Sequence, residues 1–510
     1  MGLESTHPLY DEFAEDWVQQ RDLYRGERVV KAKDETYLPA TQGMHLDGMQ
    51  KGQPGRITYE AYKKRAVFPD YIKDGVEALV GLLHQKDPTI ELPAVMEPLR
   101  TRATVNGESL PMLLRRINTE QLITGRVGLL ADLPEDPDPA NPMPYIATYI
   151  AESILNWDDA EETEGFNSLN LVVLDESGFK RDADFNWTEM KKFRVLQLGE
   201  LEENESQALY TMGTFSDIDG GSIEFNEEDM VPPMFRGVTL EQIPFVFINT
   251  KDIVSTPDDP PLLGLGRLAL AIYRGEADYR QSLFMQGQDT LVVIGSVSNP
   301  DGIVGEDDDA IRTGAGSRID VEMGGDAKYI GVSSTGLSEQ RQALENDRKR
   351  AETKAGQLIA ARGNSQESGE ALKTRLTAQT ATLNQIALAG AAGLENLLKI
   401  VATWMGANPD EVKVEPNLEF ADFDLSGQEI VFLMTARTMG APISKESIHQ
   451  LMVDRGITKF DYDKELELIG EEDADAPPVG TGAGGNPLLP PSNRDPNDPG
   501  EEEEEEESDE

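Results

Sequence analysis

Residues 338–406 constrain the chain more than any other stretch. From 338 to 361 charges fall on nearly every side of a helical repeat, and only Leu344, Ala351, Ala355 and Leu358 form a thin apolar stripe. Such a helix suits subunit contacts and solvent better than a simple core. The pattern stops at the polar run Arg362-Gly363-Asn364-Ser365-Gln366-Glu367-Ser368-Gly369. A second helical pattern then fills residues 370–405 without a proline, and Ala387-Leu388-Ala389-Gly390-Ala391-Ala392-Gly393 gives it a centre of little bulk. As one helix at ~1.5 Å per residue it would span roughly 50 Å, so a kink or a tall molecule is expected. The plainer alternative is a buried helix in one large core.

Charge narrows the function. The chain of 510 residues has a net charge of -48, and fifteen acids against one arginine lie in the last forty-one residues. The body is therefore acidic as well. Adhesive binding to nucleic acid needs Lys and Arg to displace counterions; a negative wall instead keeps nearby DNA from sticking. With no cysteine, disulfides, thiolate zinc sites and cysteine nucleophiles are excluded. The N-terminal residues lack the pattern of a signal peptide. The best candidate for a membrane span, residues 386–404, contains Glu395 and Lys399, and no membrane association is expected.

Periodicity predicts a helix over 11–25, one or two helices over 59–86 interrupted at Pro69, and a helix over 110–130. Residues 134–144 are proline-rich and read as loop. The period then changes. Residues 170–174, 193–198, 208–214 and 245–248 favour strands, with turn signals at Glu176-Ser177-Gly178 and Asp219-Gly220-Gly221. A helix over 262–287, a strand over 290–294 and a Gly- and Asp-rich insertion over 296–334 follow. Beyond 406, helices are expected near 428–439 and 445–455, and residues 474–510 are of low complexity, ending in an acidic run. The fold class is α+β.

Chemistry-bearing motifs are sparse. Gly264-Leu265-Gly266-Arg267-Leu268-Ala269 matches the loose dinucleotide pattern, but prolines rather than a strand precede it, so close helix packing explains the glycines better. Asp217-Ile218-Asp219-Gly220-Gly221-Ser222-Ile223-Glu224 hints at calcium but lacks the EF-hand length. His7, His45, His84 and His449 have no metal-ligand spacing, and the acids at Glu306-Asp307-Asp308-Asp309 read first as a solvated surface. No catalytic residue, metal ligand or cofactor site is expected, and the chain is not read as an enzyme.

The order of these segments resembles the portal (head–tail connector) proteins of tailed bacteriophages, and is similar to a branch of them catalogued as a domain of unknown function. The residues that carry the resemblance are Ile154-Leu155-Asn156-Trp157, Ile243-Pro244-Phe245, Pro260-Pro261-Leu262, Ala277-Asp278-Tyr279, Thr290-Leu291-Val292-Val293-Ile294-Gly295 and Ser368-Gly369-Glu370-Ala371-Leu372, together with residues 363–368. The resemblance implies a portal fold assembled as a dodecameric ring around a central channel. Residues 1–256 would be the wing, 262–286 and 338–361 the stem helices, and 287–336 the clip. Residues 362–369 would be the tunnel loop, 370–405 the long wing or spine helix, 406–473 the crown, and 474–510 a disordered acidic tail.

The implied partners are further copies of the chain, double-stranded DNA in the channel, the terminase large subunit, head–tail adaptor and tail proteins, and the major capsid protein. The implied location is the virion's portal vertex, with host cytoplasm during assembly. Between residues 338 and 376 eight Lys or Arg stand against six acids, a locally positive stretch in a negative chain. Arg362, Asn364, Ser365, Gln366, Lys373 and Arg375 are the candidates for touching DNA; balancing Glu367 and Glu370 is the alternative role for the cations. In the clip, Glu306, Asp307, Asp308, Asp309 and Arg312 are candidates for partner contacts. A metal-dependent nuclease and another capsid or scaffold protein are the competing readings.

Overall fold

Proline and glycine set the element boundaries through most of the chain. The computed structural model describes residues 2–134, 143–159, 169–199, 209–217, 223, 225–286, 290–296, 321–330, 335–359, 369–418, 427–454 and 458–475. Two units are present, Met1–Ala421 and Asp422–Glu510.

The first unit opens with helices. Helix α1 (Pro8–Arg25) carries its proline in the first turn, where the missing N–H costs nothing, and His7 Nδ1 accepts the Leu9 N–H at 3.1 Å. Short helices α2 (Glu27–Ala32) and α3 (Gln42–Leu46) lead to α4 (Pro54–Arg65) and α5 (Tyr71–Leu83), which are separated around Pro69 as the sequence predicts. Strand β1 (Thr89–Glu91) and helix α6 (Glu97–Thr101) follow.

Helix α7 (Leu110–Thr124) ends six residues earlier than its apolar pattern suggests. Gly125 takes φ +81°, and a Cβ there would stand 2.9 Å from the Asp258 carbonyl oxygen, so both conformation and space demand glycine. Residues 126–130 are strand, not helix.

That strand, β2 (Arg126–Asp132), is followed by β3 (Tyr145–Ile150), β4 (Ile154–Asp159), β5 (Leu169–Asp175), β6 (Gly178–Arg181), β7 (Trp187–Met190), β8 (Lys192–Leu198), β9 (Tyr210–Ser216) and β10 (Phe245–Asn249). They form antiparallel sheets of order β10-β2-β3 and β4-β5-β8-β9, with β6-β7 a separate hairpin. The expected strands at 170–174, 193–198, 208–214 and 245–248 are β5, β8, β9 and β10. The Asp219-Gly220-Gly221 turn and most of the calcium-like motif lie outside the described residues.

Helix α8 (Leu263–Gln286) leads into β11 (Thr290–Ser296), which pairs antiparallel with β12 (Val321–Ile330). Helix α9 (Thr335–Ile359) returns, and α10 (Gly369–Met405) runs 37 residues without a break. Strand β13 (Lys413–Glu415) pairs with β1, so residues just past α10 fold back onto the first unit.

Two apolar clusters hold this unit. One joins the sheets and α7 to the C-terminal half of α10 through Leu394, Leu397, Leu398 and Trp404; the other joins α4, α5 and α8 to the same helix through Leu383 and Ile386. Over residues 383–405 α10 is therefore a core helix, as the plainer expectation had it. Its small residues allow close approach: a Cβ on Gly390 would lie 2.5 Å from Asn118 Nδ2, and one on Gly393 would collide with Ile248. Residues 381–405 are apolar and long enough to cross a membrane, but most of that surface is buried here.

The second unit holds α11 (Gly427–Thr438), α12 (Lys445–Asp454) and α13 (Tyr462–Asp475). The first two match expectation. The third was not foreseen, and residues past 475 lie outside the described residues.

Candidate functional site

Apolar stripe and charge pattern together determine how α8 and α9 meet. Leu344, in the thin stripe of α9, is buried against Gly275 of α8, where a Cβ would stand 3.0 Å from Leu344 Cδ2. One residue on, Glu276 is 4% exposed, and its carboxylate accepts from Arg280 on its own helix and from Arg348 Nη2 on α9 at 2.7 Å. Further along, Lys354 lies over Gly264. Positions rising along α8 thus meet positions falling along α9, and the two helices run antiparallel. A carboxylate so buried is tolerable because two guanidinium groups replace its water.

Helix α8 is also fixed to the N-terminal helices. Tyr62 Oη donates to Asp278 Oδ1 at 2.6 Å, and burial followed by this bond pushes the phenol well above its ordinary range. Arg65 donates to Gln281 and its guanidinium sits 4.1 Å from the Phe284 ring centre. Arg274 Nε donates to the Tyr37 carbonyl at 2.9 Å. These bonds tie α8 to the N-terminal helices, and in sequence it is followed by the β11–β12 hairpin. A register shift between Ile294 and Ser296 interrupts the pairing of that hairpin.

The predicted site residues fall as follows. Arg362, Asn364, Ser365 and Gln366 lie outside the described residues, as do Glu306, Asp307, Asp308, Asp309 and Arg312. Lys373 and Arg375 are in the first turns of α10.

The motifs set aside on sequence grounds have structural occupations. Gly264 to Ala269 sit inside the first turns of α8 with no strand directly before them, and Gly266 packs against the buried Gln20 side chain. His7 stacks on Trp157 with ring centres 4.1 Å apart, and His84 Nε2 bonds Asn118 Oδ1 at 2.9 Å. His45 is 3.3 Å from Glu35, and His449 meets Tyr462 edge-on at 5.4 Å. Among the described residues no group of three or more His, Asp or Glu side chains is placed to hold a metal ion.

Sequence reasoning missed two features of the helical pair. One is the Glu276 clamp, whose only trace in sequence is the i,i+4 spacing of Glu276 and Arg280. The other is an open cleft of about 680 Å³ between the first half of α8 and the middle of α9, walled by Arg267, Lys349, Arg350 and Lys354.

Residues 261–405, which span α8, the hairpin, α9 and α10, match the model of a domain of unknown function, DUF4055. No curated protein matches the sequence. Among solved structures, similarity is found to the neck of a native GTA particle computed with C12 symmetry, at 13% identity and a TM-score of 0.35 over 75% of this chain and 89% of that one. The neck of an empty GTA particle computed with C6 symmetry gives 14% identity and a TM-score of 0.35 over 81% of this chain and 93% of that one. At that level of superposition the likeness carries no functional weight.

Proposed function

We propose that this chain is a structural, non-enzymatic protein of a tailed-phage-type particle: a portal whose copies form a ring around a channel for double-stranded DNA. The ring would pass DNA during packaging and ejection and offer a docking platform to terminase and to head–tail proteins. The observation that supports this most is the excursion from α8 to α10. Helix α8, anchored to the N-terminal helices, hands the chain to a two-stranded hairpin; α9 brings it back antiparallel and clamped at Glu276; α10 then runs through both apolar clusters. This is the order of segments on which the sequence resemblance rests.

Physical chemistry agrees with a conduit. Glu276 and Arg280 of α8 and Arg348 of α9 close on one another as a brace instead of converging on a reacting centre. A body of strongly negative charge repels duplex DNA and leaves any grip to isolated cations. In this assignment Arg362, Asn364, Ser365, Gln366, Lys373 and Arg375 stand at the constriction, and the acids at Glu306 to Asp309 with Arg312 meet the partners outside the capsid.

Negative-stain images of the purified full chain test the proposal. Dodecameric rings with a central hole are expected. Shells, filaments or monomers would contradict it, and magnesium-dependent cleavage of duplex DNA would favour a nuclease instead.

A further inference from the structure

Side chains tie down the segment that joins β10 to α8. Residues 250–260 form neither helix nor strand. Asn249, the last residue of β10, donates through Nδ2 to the Val254 and Thr256 carbonyls at 2.9 and 2.8 Å. Asp258 folds back to accept from Thr250 Oγ1 at 2.7 Å and from the Lys251 amide at 3.2 Å. A further tie comes from β2, where Arg126 Nη2 donates to the Ser255 carbonyl at 2.7 Å.

Arg126 is an unfavourable residue for that task. It stands opposite Asn249 in the β10–β2 register and is fully buried. Its guanidinium carbon lies 4.3 Å from the Trp157 ring centre and 4.0 Å from that of Phe247. No carboxylate offsets its charge: burial is the one cause acting on its pKa and lowers it to about 9. Among the described residues its Nε and Nη1 have no hydrogen-bond partner. Two aromatic faces and one carbonyl recover part of the lost hydration, but a buried cation without a counter-charge is still held at a cost. A methionine of similar length would keep the packing without it.

We infer that residues 250–258 are a strap that opens as a unit while both apolar clusters stay intact, and that Arg126 keeps this opening accessible. Closed, the strap holds an uncompensated cation away from water. Open, it lets water reach the guanidinium, so the two states lie closer in free energy than they would over an apolar side chain. The chain passes from the sheet to α8 through this segment. Its opening therefore loosens that junction without unpacking α8 from Tyr62 and Tyr37. The inference stands apart from the ring reading and holds for a single chain.

Labelling of the full chain with phenylglyoxal, read by mass spectrometry at Arg126, tests the opening, because the buried guanidinium reacts only when the strap is off it. Arg126 is expected to be labelled faster than global unfolding allows, at a rate little changed by low urea, since a local opening exposes little surface. Asn249→Ser, which removes the two ties to Val254 and Thr256, is expected to speed labelling at least ~10-fold relative to global unfolding. Labelling no faster than global unfolding would overturn the strap. Arg126→Met tests the role of the charge through hydrogen exchange at the Lys251 and Val254 amides. Exchange there is expected to slow at least ~10-fold, because the strap then covers an apolar side chain. Exchange that is unchanged or faster would overturn the role given to Arg126. So would an Arg126→Met chain that does not fold, since the cation would then be needed for the packing itself.

Discussion

Arg348 of α9 donates to Glu276 of α8 at 2.7 Å, across 72 residues of sequence, and the carboxylate it reaches is buried. Arg280 completes the clamp from the turn below. Removing Arg348 leaves the buried carboxylate with Arg280 alone, half its compensation, whereas removing the carboxylate as well leaves no buried charge, because both arginines are half exposed. Arg348 is roughly half exposed, which discounts its share. Arg348→Met is therefore expected to cost about 1–2 kcal/mol. Glu276→Met is expected to cost a similar amount, and the double variant less than the two together by about 0.5–3 kcal/mol. Denaturant titrations of the four species check this; strict additivity would show that the two residues do not act as a pair.

Packing at α10 supplies a second prediction. Gly393 faces Ile248 of β10 so closely that a Cβ cannot fit without displacing Ile248. Helix propensity alone favours Gly393→Ala by ~1 kcal/mol. Overpacking of a full core costs about 1–3 kcal/mol. The two sides of this contact are a buried strand and a helix held in the core, so overpacking should win and Gly393→Ala should lower stability. Ile248→Ala, costly in the parent chain, is expected to cost much less in the Gly393→Ala background. Thermal melts of the single and double variants decide it: a stabilising Gly393→Ala would mean that the strand yields.

Acid sensitivity should trace in part to His84. Burial is the main cause that lowers its pKa below the usual value, and its Nε2 bonds Asn118 Oδ1 at 2.9 Å. From there Asn118 Nδ2 donates to Gln121 Oε1 at 2.8 Å, and Gln121 Nε2 to the Asn249 carbonyl at 2.6 Å, a polar string beneath Gly390. The sign follows from which state binds the proton more readily. The unfolded chain protonates this histidine near 6.5, while the folded chain resists until lower pH. The stabilisation is complete above the unfolded pKa and is lost as pH falls below it toward the folded value. Urea midpoints between about pH 7 and pH 5 should therefore decline less in His84→Gln than in the parent chain. Equal declines would remove His84 from the account.

Much of this architecture could be read in the residues, and the exceptions have physical causes. Pro54, Pro69 and the prolines before Leu263 mark helix boundaries because proline forbids continuation. The long α10 was legible because no breaker interrupts it. Strand β2 was hidden: Val127, Leu129 and Leu130 extend the apolar spacing of α7, and only the left-handed Gly125 separates the two. Glu276 looked like any helical acid, since burial depends on Arg348 arriving from another element. The α8–α9 cleft was illegible for the same reason, as Arg267 and Lys349 become neighbours only through the antiparallel pairing.

If the chain is the proposed portal and residues 287–336 its clip, their charge predicts how partners dock. Residues 299–336 hold eight acids and three bases, with Glu306, Asp307, Asp308 and Asp309 in one run. Surface charges act over a Debye length of about 8 Å at physiological salt and less above it. In that proposed portal, association of the ring with terminase should weaken steeply with ionic strength, and neutralising the four acids should flatten that dependence. Docking measured by interferometry across a salt series checks this; affinity indifferent to salt would show that shape, not charge, drives the contact.

Arg362, Lys373 and Arg375 carry the last prediction. Lys373 and Arg375 lie at the start of α10, with Arg362 seven residues before the helix begins. If the three contact phosphates, each removed cation lowers the salt dependence of DNA retention, because fewer counterions are released on contact. If instead they balance Glu367 and Glu370, their loss leaves unpaired carboxylates and acts on ring stability. The two roles separate in one experiment. Replacing all three by glutamine should leave ring assembly intact, change packaging rate and shorten DNA retention, with a shallower salt slope. Unchanged packaging and retention would sink the DNA-contact role, and disrupted rings would assign the cations to the charge balance.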